Sequence, residues 1–145
     1  MKNIVWIKDP FISEQVEFER VAKDYSGDSK ELYQETFKDL KARYAGSSLF
    51  KLMDTDWRGM LNTDSWDTDT VKKMENAISR NKVPRDAGRI FYQYASLKVS
   101  SPIALRLGNG KLELIAGNTR LMGARVLGIT PRIVIIKTEW RYWQA

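Results

Sequence analysis

The stretch LELIAGNTRLMGARVLGITPRIVIIKT, residues 112–138, constrains this chain more than any other, because an apolar strand runs into Gly117-Asn118-Thr119-Arg120 and straight on into a helix. Leu112, Leu114 and Ile115 read as a buried strand, and Gly117 has access to backbone conformations closed to other residues. Thr119 or Asn118 is placed to cap the helix that follows. Met122 with Val126, and Gly123 with Leu127, predict one apolar stripe on that helix, notched at Gly123 for close approach to a sheet. Gly128 and Pro131 end it, and residues 133–136 form a second strand. At the strand–helix junction, free N–H groups meet the positive end of the helix dipole, and Arg120 adds a planar fork of donors. Such a turn cradles an anion, and the expected ligand is a nucleotide. Plain structure gives a similar four-residue pattern, so the box takes its weight from its context.

Just upstream, Asn109-Gly110 joins two apolar runs and predicts a hairpin. A two-residue turn sets Leu107 opposite Leu112, Arg106 opposite Glu113 and Leu105 opposite Leu114, with apolar pairs on one face and an ion pair on the other. Arg106 is therefore expected to be a cross-strand partner of Glu113.

The order Ser101-Pro102-Ile103, hairpin, Ala116-Gly117-Asn118-Thr119-Arg120-Leu121, Ala124-Arg125, Leu127-Gly128 and residues 131–136 resembles the ParB/sulfiredoxin superfamily over about the C-terminal third of the chain. The resemblance implies a small mixed sheet with packed helices and a nucleotide pocket at the Gly-x-x-Arg box, so that Gly117, Asn118, Thr119 and Arg120 hold phosphates. Its members include nucleotide-dependent DNA-segregation clamps, sulfiredoxins, free-serine kinases, nucleases and short tailed-phage proteins. Some of the phage proteins resemble kinases of hydroxymethylated pyrimidines in DNA. Sulfiredoxin activity needs a cysteine in the box, and this chain has none. Clamps carry a box richer in arginine and further domains, which is not the pattern here. The serine-kinase branch has an acid and a histidine where this chain has Ala116 and Asn118, so only its phosphate cradle carries over.

The remaining residues set limits. With 145 residues and 43% hydrophobic content the chain can bury one core, so a single domain over residues 1–145 is expected. Residues 3–7 read as a strand. Phe18, Val21, Ala22 and Tyr25 share a face of a helix starting near Ser13, and Tyr33, Phe37, Leu40 and Tyr44 share a face of a second. Val71, Met74 and Ile78 point inward from a third helix over residues 70–81, and residues 90–97 are a short helix or a strand. The fold class is α/β (α+β) with a helix-rich N-terminal half. No apolar run approaches the ~20 residues of a membrane helix, and the N-terminus lacks a signal-peptide pattern, so a cytoplasmic location is expected, that of a host cell if phage-encoded.

Without cysteine or histidine, any acid–base step falls to Asp, Glu, Lys or Tyr. In the resembling serine kinases an acid soon after the first strand is the base, and Asp9 and Glu14 occupy that region here. Glu14 also suits the first turn of a helix. The net charge of +6 favours a polyanionic partner, and Arg80, Lys82 and Arg85 in a turn-rich segment are candidates for a DNA backbone. That segment reads equally as a solvated connector. Asp54, Asp56, Asp64, Asp67 and Asp69, with Asn62, lie in an expected loop over residues 53–69 where caps and turns outweigh a magnesium site. Trp57 and Trp66 read as packed residues before they read as base-stacking ones. Trp140, Tyr142 and Trp143 suit a terminal strand.

The resemblance to the phage proteins implies a phosphotransferase using ATP or another nucleoside triphosphate with Mg2+, acting on a 5-hydroxymethylpyrimidine in DNA, hydroxymethyluracil favoured. Arg120 would stabilise the transferred phosphoryl group, and Arg120→Ala would abolish transfer with little loss of fold provided Arg120 is exposed at the pocket. A non-catalytic nucleotide-dependent DNA-binding protein is the alternative, and a nuclease the third.

Overall fold

The computed structural model describes residues 3–82 and 85–137, with side-chain surroundings for all of these but residues 85–87. The expected terminal strand carrying Trp140, Tyr142 and Trp143 lies outside the described residues. The fold is a mixed α/β arrangement of two small sheets and six α-helices among the described residues. β1 (Val5–Ile7) leads through a 3-10 turn (Phe11–Glu14) into α1 (Gln15–Ser26) and α2 (Lys30–Ala45). Then come β2 (Leu49–Lys51), α3 (Asp54–Arg58), α4 (Thr68–Ser79) and α5 (Arg85–Ala95). β3 (Lys98–Ser100), β4 (Ile103–Arg106), β5 (Leu112–Ala116), α6 (Asn118–Leu127) and β6 (Arg132–Lys137) complete it. Residues 90–97, readable as helix or strand, fall mainly in α5.

The main sheet has the order β2-β6-β4-β5, and β1 pairs in parallel with β3 beside it. β4 is parallel to β6 and antiparallel to β5, while β2 is an antiparallel edge strand on β6. The sheet is buried on both faces. Phe18, Val21, Leu40 and Tyr44 of α1 and α2 pack on Ile103, Leu105, Ile115, Val134 and Ile136. On the other face Trp57, Ile90, Tyr94, Leu121 and Ala124 pack on Ala104, Leu112, Leu114 and Ile133. Successive residues of β4 and β6 thus feed opposite cores, as the period-two geometry of a strand dictates.

Two-sided burial overturns the expected hairpin register. Arg106 pairs with Leu112, Leu105 with Glu113 and Ala104 with Leu114, one residue away from the alternation-based pairing. The loop holds three residues: the Leu107 N–H donates to the Lys111 carbonyl at 2.8 Å, the Gly110 N–H to the Leu107 carbonyl at 2.9 Å, and Gly110 is left-handed at φ 86°. Where both faces are apolar, hydrophobic matching cannot select a register. Arg106 therefore meets Asp56 at 3.4 Å and the Gly110 carbonyl at 2.9 Å, not Glu113.

Further expectations change. The notch at Gly123 faces an aromatic ring and not the sheet: a Cβ there would sit 2.6 Å from Tyr94 Cε2. Leu127 of the expected stripe is exposed, while Leu121 and Ala124 turn inward. Ile78, expected inward on α4, is also exposed, although Val71 is buried. The acidic loop is partly built structure. Asp54 and Asp56 open α3, Asp67 caps α4 by accepting from the Asp69 N–H at 3.2 Å, and Leu61 bridges to β5 through Leu112 and Leu114. Trp57 is buried, with its indole N–H donating to Ser65 Oγ at 2.7 Å.

Candidate functional site

Strand β5 delivers the chain to Gly117 at φ 107° and ψ 25°, where a Cβ would lie 2.7 Å from Pro102 Cβ. Left-handed backbone and contact with the segment joining β3 to β4 both demand glycine at this position. Gly117 itself is the N-cap of α6, with no side-chain cap, so neither Asn118 nor Thr119 performs the capping expected of them. The Leu121 N–H donates to the Gly117 carbonyl at 2.9 Å, which closes the first helical turn. The amides of Asn118, Thr119 and Arg120 fall before that bond, outside the helix's own ladder.

This end of α6 borders an open cleft of about 880 Å3 lined by Gly117, Asn118, Arg20, Asn62, Thr63 and Asp64, among others. The volume is in the range of small-ligand sites. The Asn118 side chain is held by the facing loop: its Oδ1 accepts from the Thr63 hydroxyl at 2.5 Å and its Nδ2 donates to Asp64 at 2.9 Å. Arg20 reaches in from α1, donating to the Ile115 carbonyl at 3.3 Å while pairing with Glu17 at 3.1 Å. Arg20 and Thr63 carry no motif or periodic signal. Thr63 reaches the turn because the bridge from Leu61 to Glu113 draws the 61–65 loop against β5, and Arg20 reaches it because Phe18 and Val21 pack α1 on the sheet beside Ile115.

Arg120 occupies the other side of the turn. Its guanidinium meets Glu14 Oε1 at 3.2 Å and the Ser100 carbonyl at 3.3 Å, with only 11% of its side chain exposed. Its own carbonyl accepts from the Tyr94 hydroxyl. Arg120 is not among the residues lining the cleft, and a group so enclosed supports the fold as well as any ligand. The expected mildness of Arg120→Ala for the fold presupposes an Arg120 exposed at the pocket, and this enclosed ion pair does not meet that condition.

Asp9 is half-buried nearby, and its carbonyl accepts from the Tyr44 hydroxyl. Burial pushes the Tyr44 hydroxyl up to about 12, the carboxylates of Asp9 and Glu14 add to the rise, and Arg120 opposes it. Asp9, Glu14, Tyr44 and Arg120 thus form one electrostatic group drawn from distant parts of the chain. Three of the four were singled out from sequence. Arg80 caps the end of α4 and Lys82 follows it in the exposed chain, whereas Arg85 opens α5 with its side chain outside the described residues. Neither Arg80 nor Lys82 lines the cleft.

The groups around Gly117 able to hold a phosphate are the uncapped amides at the positive end of α6 and Arg20, which is paired with Glu17 and Asp24, and they share the cleft with the carboxylates of Glu17 and Asp64. For a cation, exposed Asp64 is the carboxylate bonded to this turn, although no cluster of three or more potential metal ligands occurs among the described residues. No helix among the described residues is long and apolar enough to cross a membrane. Comparisons with protein-family models, with curated proteins and with solved structures return no match.

Proposed function

We propose that this chain binds a nucleoside triphosphate at the turn formed by Gly117, Asn118, Thr119 and Arg120, and that it transfers the terminal phosphoryl group to a hydroxyl. A 5-hydroxymethylpyrimidine in DNA, hydroxymethyluracil first, is the proposed acceptor. One observation carries the reading: an uncapped helix N-terminus, entered through a glycine pressed on Pro102, opens on a cleft large enough for a nucleotide. The resemblance of the box to ParB-like and kinase sequences points the same way. In the transfer, the acceptor oxygen bonds to the terminal phosphorus as the bridging bond breaks. The nucleoside diphosphate departs, and the hydroxyl proton passes to a carboxylate, with Glu14 and Asp9 as the candidates. A cation bound with the nucleotide would offset phosphate charge, with Asp64 as a candidate ligand.

A non-catalytic, nucleotide-dependent DNA-binding role is the second reading, favoured by the closed contact between Glu14 and Arg120, which engages the candidate base and the candidate phosphate ligand with each other.

The two separate on incubation with magnesium, γ-labelled ATP or GTP, and DNA containing thymine, hydroxymethyluracil or hydroxymethylcytosine, with Glu14→Gln as control. Label on modified DNA that the control fails to produce supports transfer. Nucleotide binding without label supports the second reading.

A further inference from the structure

At the opposite end of α6 lies a second cleft, of about 830 Å3, with Trp6, Tyr94, Lys51 and Arg132 in its wall. Lys51 and Arg132 are register partners across the antiparallel pair of β2 and β6. Like charges directly opposite on a ladder repel, and such a pair is ordinarily separated or neutralised. Here neither cation has an ion-pair partner among the described residues, both are exposed, and no residue lining the cleft is acidic. Among the described residues, no side chain relieves the repulsion within this pair.

The remainder of the wall suits an aromatic ligand. Trp6 is half-buried, and its ring meets Tyr94 edge-on at a centroid distance of 6.0 Å. Thr130 and Asn3 add hydrogen-bonding groups at the rim. Partners on neighbouring strands sit roughly 5 Å apart at Cα, so the two long cationic side chains can converge on a single anionic group. The C-terminal end of α6 brings about half a negative charge nearby, which two full positive charges outweigh.

We infer that Lys51 and Arg132 form a phosphate site beside the Trp6 wall, taking a nucleotide unit, either free or within a single strand of nucleic acid. This site is separate from the Gly117 turn and does not rest on the phosphoryl-transfer reading.

The test measures binding of dTMP by calorimetry and of a short fluorescein-labelled oligothymidylate by anisotropy across a salt series. Wild type is compared with Lys51→Ala, Arg132→Ala and Lys51→Glu, and each variant's thermal midpoint is recorded. Each alanine variant should weaken binding about tenfold and lower the log–log salt slope for the strand by about one. Lys51→Glu, which turns the repulsion into an attraction with Arg132, should abolish binding while raising the midpoint. Loss confined to the strand identifies nucleic acid as the occupant, and equal loss for dTMP identifies a free nucleotide. Unchanged affinity for both probes in Lys51→Glu, or no binding of either probe to the wild type, overturns the inference.

Discussion

Glu14 Oε1 lies 3.2 Å from Arg120 Nη2, joining the start of α1 to the first turn of α6 across 106 residues of sequence. With 16% and 11% of their side chains exposed, the two charges are largely withdrawn from water, and each depends on the other for compensation. Removing one partner of such a pair leaves the other uncompensated. Glu14→Ala is therefore expected to destabilise the fold by about 2 to 4 kcal/mol in urea denaturation. The double variant Glu14→Met with Arg120→Met should recover most of that loss, because a matched apolar pair carries no desolvation penalty. If the double variant is less stable than Glu14→Ala, the account of this contact is wrong.

The two glycines of the α6 unit are expected to differ in cost. Gly117→Ala meets Pro102 backbone, with Cα at 2.8 Å, and also forces a left-handed alanine, for an expected loss of about 2 kcal/mol or more. Gly123→Ala meets only the Tyr94 ring, and should cost about 1 to 3 kcal/mol as the ring is displaced. The same displacement should disturb the bond from the Tyr94 hydroxyl to the Arg120 carbonyl, so Tyr94→Phe should add little to a Gly123→Ala background. Additive losses in thermal unfolding would contradict this coupling.

Much of this unit is legible from sequence because its signals are local. Gly117, Gly128 and the spacing of Asn109-Gly110 mark a turn, a helix end and a hairpin without reference to anything distant. The hairpin register is not local: it depends on both faces of β4 and β5 being buried, and that is set by α1 and α2 on one side and α6 on the other. β2 likewise carries no sequence signal, since three residues with only modest burial show no periodicity. At the candidate site, Glu14, Asp9 and Arg120 were each named from sequence, yet nothing in their spacing required Arg120 to turn away from the cleft toward Glu14. Arg20 and Thr63 had no signal at all, because long-range packing alone brings them to the turn.

Alkaline pH supplies a third prediction. Tyr44 ordinarily titrates near 10.0 and is pushed up to about 12 in the folded chain, so the unfolded chain releases this proton first as pH rises. The stabilisation it contributes is fully present below pH 10 and declines as pH climbs through 12. Tyr44→Phe should be less stable at neutral pH, having lost the bond to the Asp9 carbonyl, but its stability should fall less over that alkaline interval. Identical alkaline slopes for the two proteins in denaturant titrations would contradict the assignment.

Buried Trp57 offers a fourth. Trp57→Phe removes the indole donor to Ser65, a bond made where no water competes, and leaves that hydroxyl short of a partner. The expected loss is about 1 to 3 kcal/mol in urea unfolding, together with a loosened 61–65 loop. Because Ser65 also contacts Thr63, which holds Asn118, exchange of the Leu121 amide that closes the first turn of α6 should quicken in the variant. Unaltered exchange there would show that the loop does not position the turn.

We propose that a nucleotide sits on the uncapped start of α6. An amide-resolved NMR titration of the labelled protein with magnesium and ATP or GTP tests it most directly. The largest shifts are expected at Gly117, Asn118, Thr119 and Arg120, with smaller ones at Thr63 and Asp64 across the cleft. Absence of shifts with either nucleotide, or shifts confined to residues around Lys51 and Arg132, would contradict it.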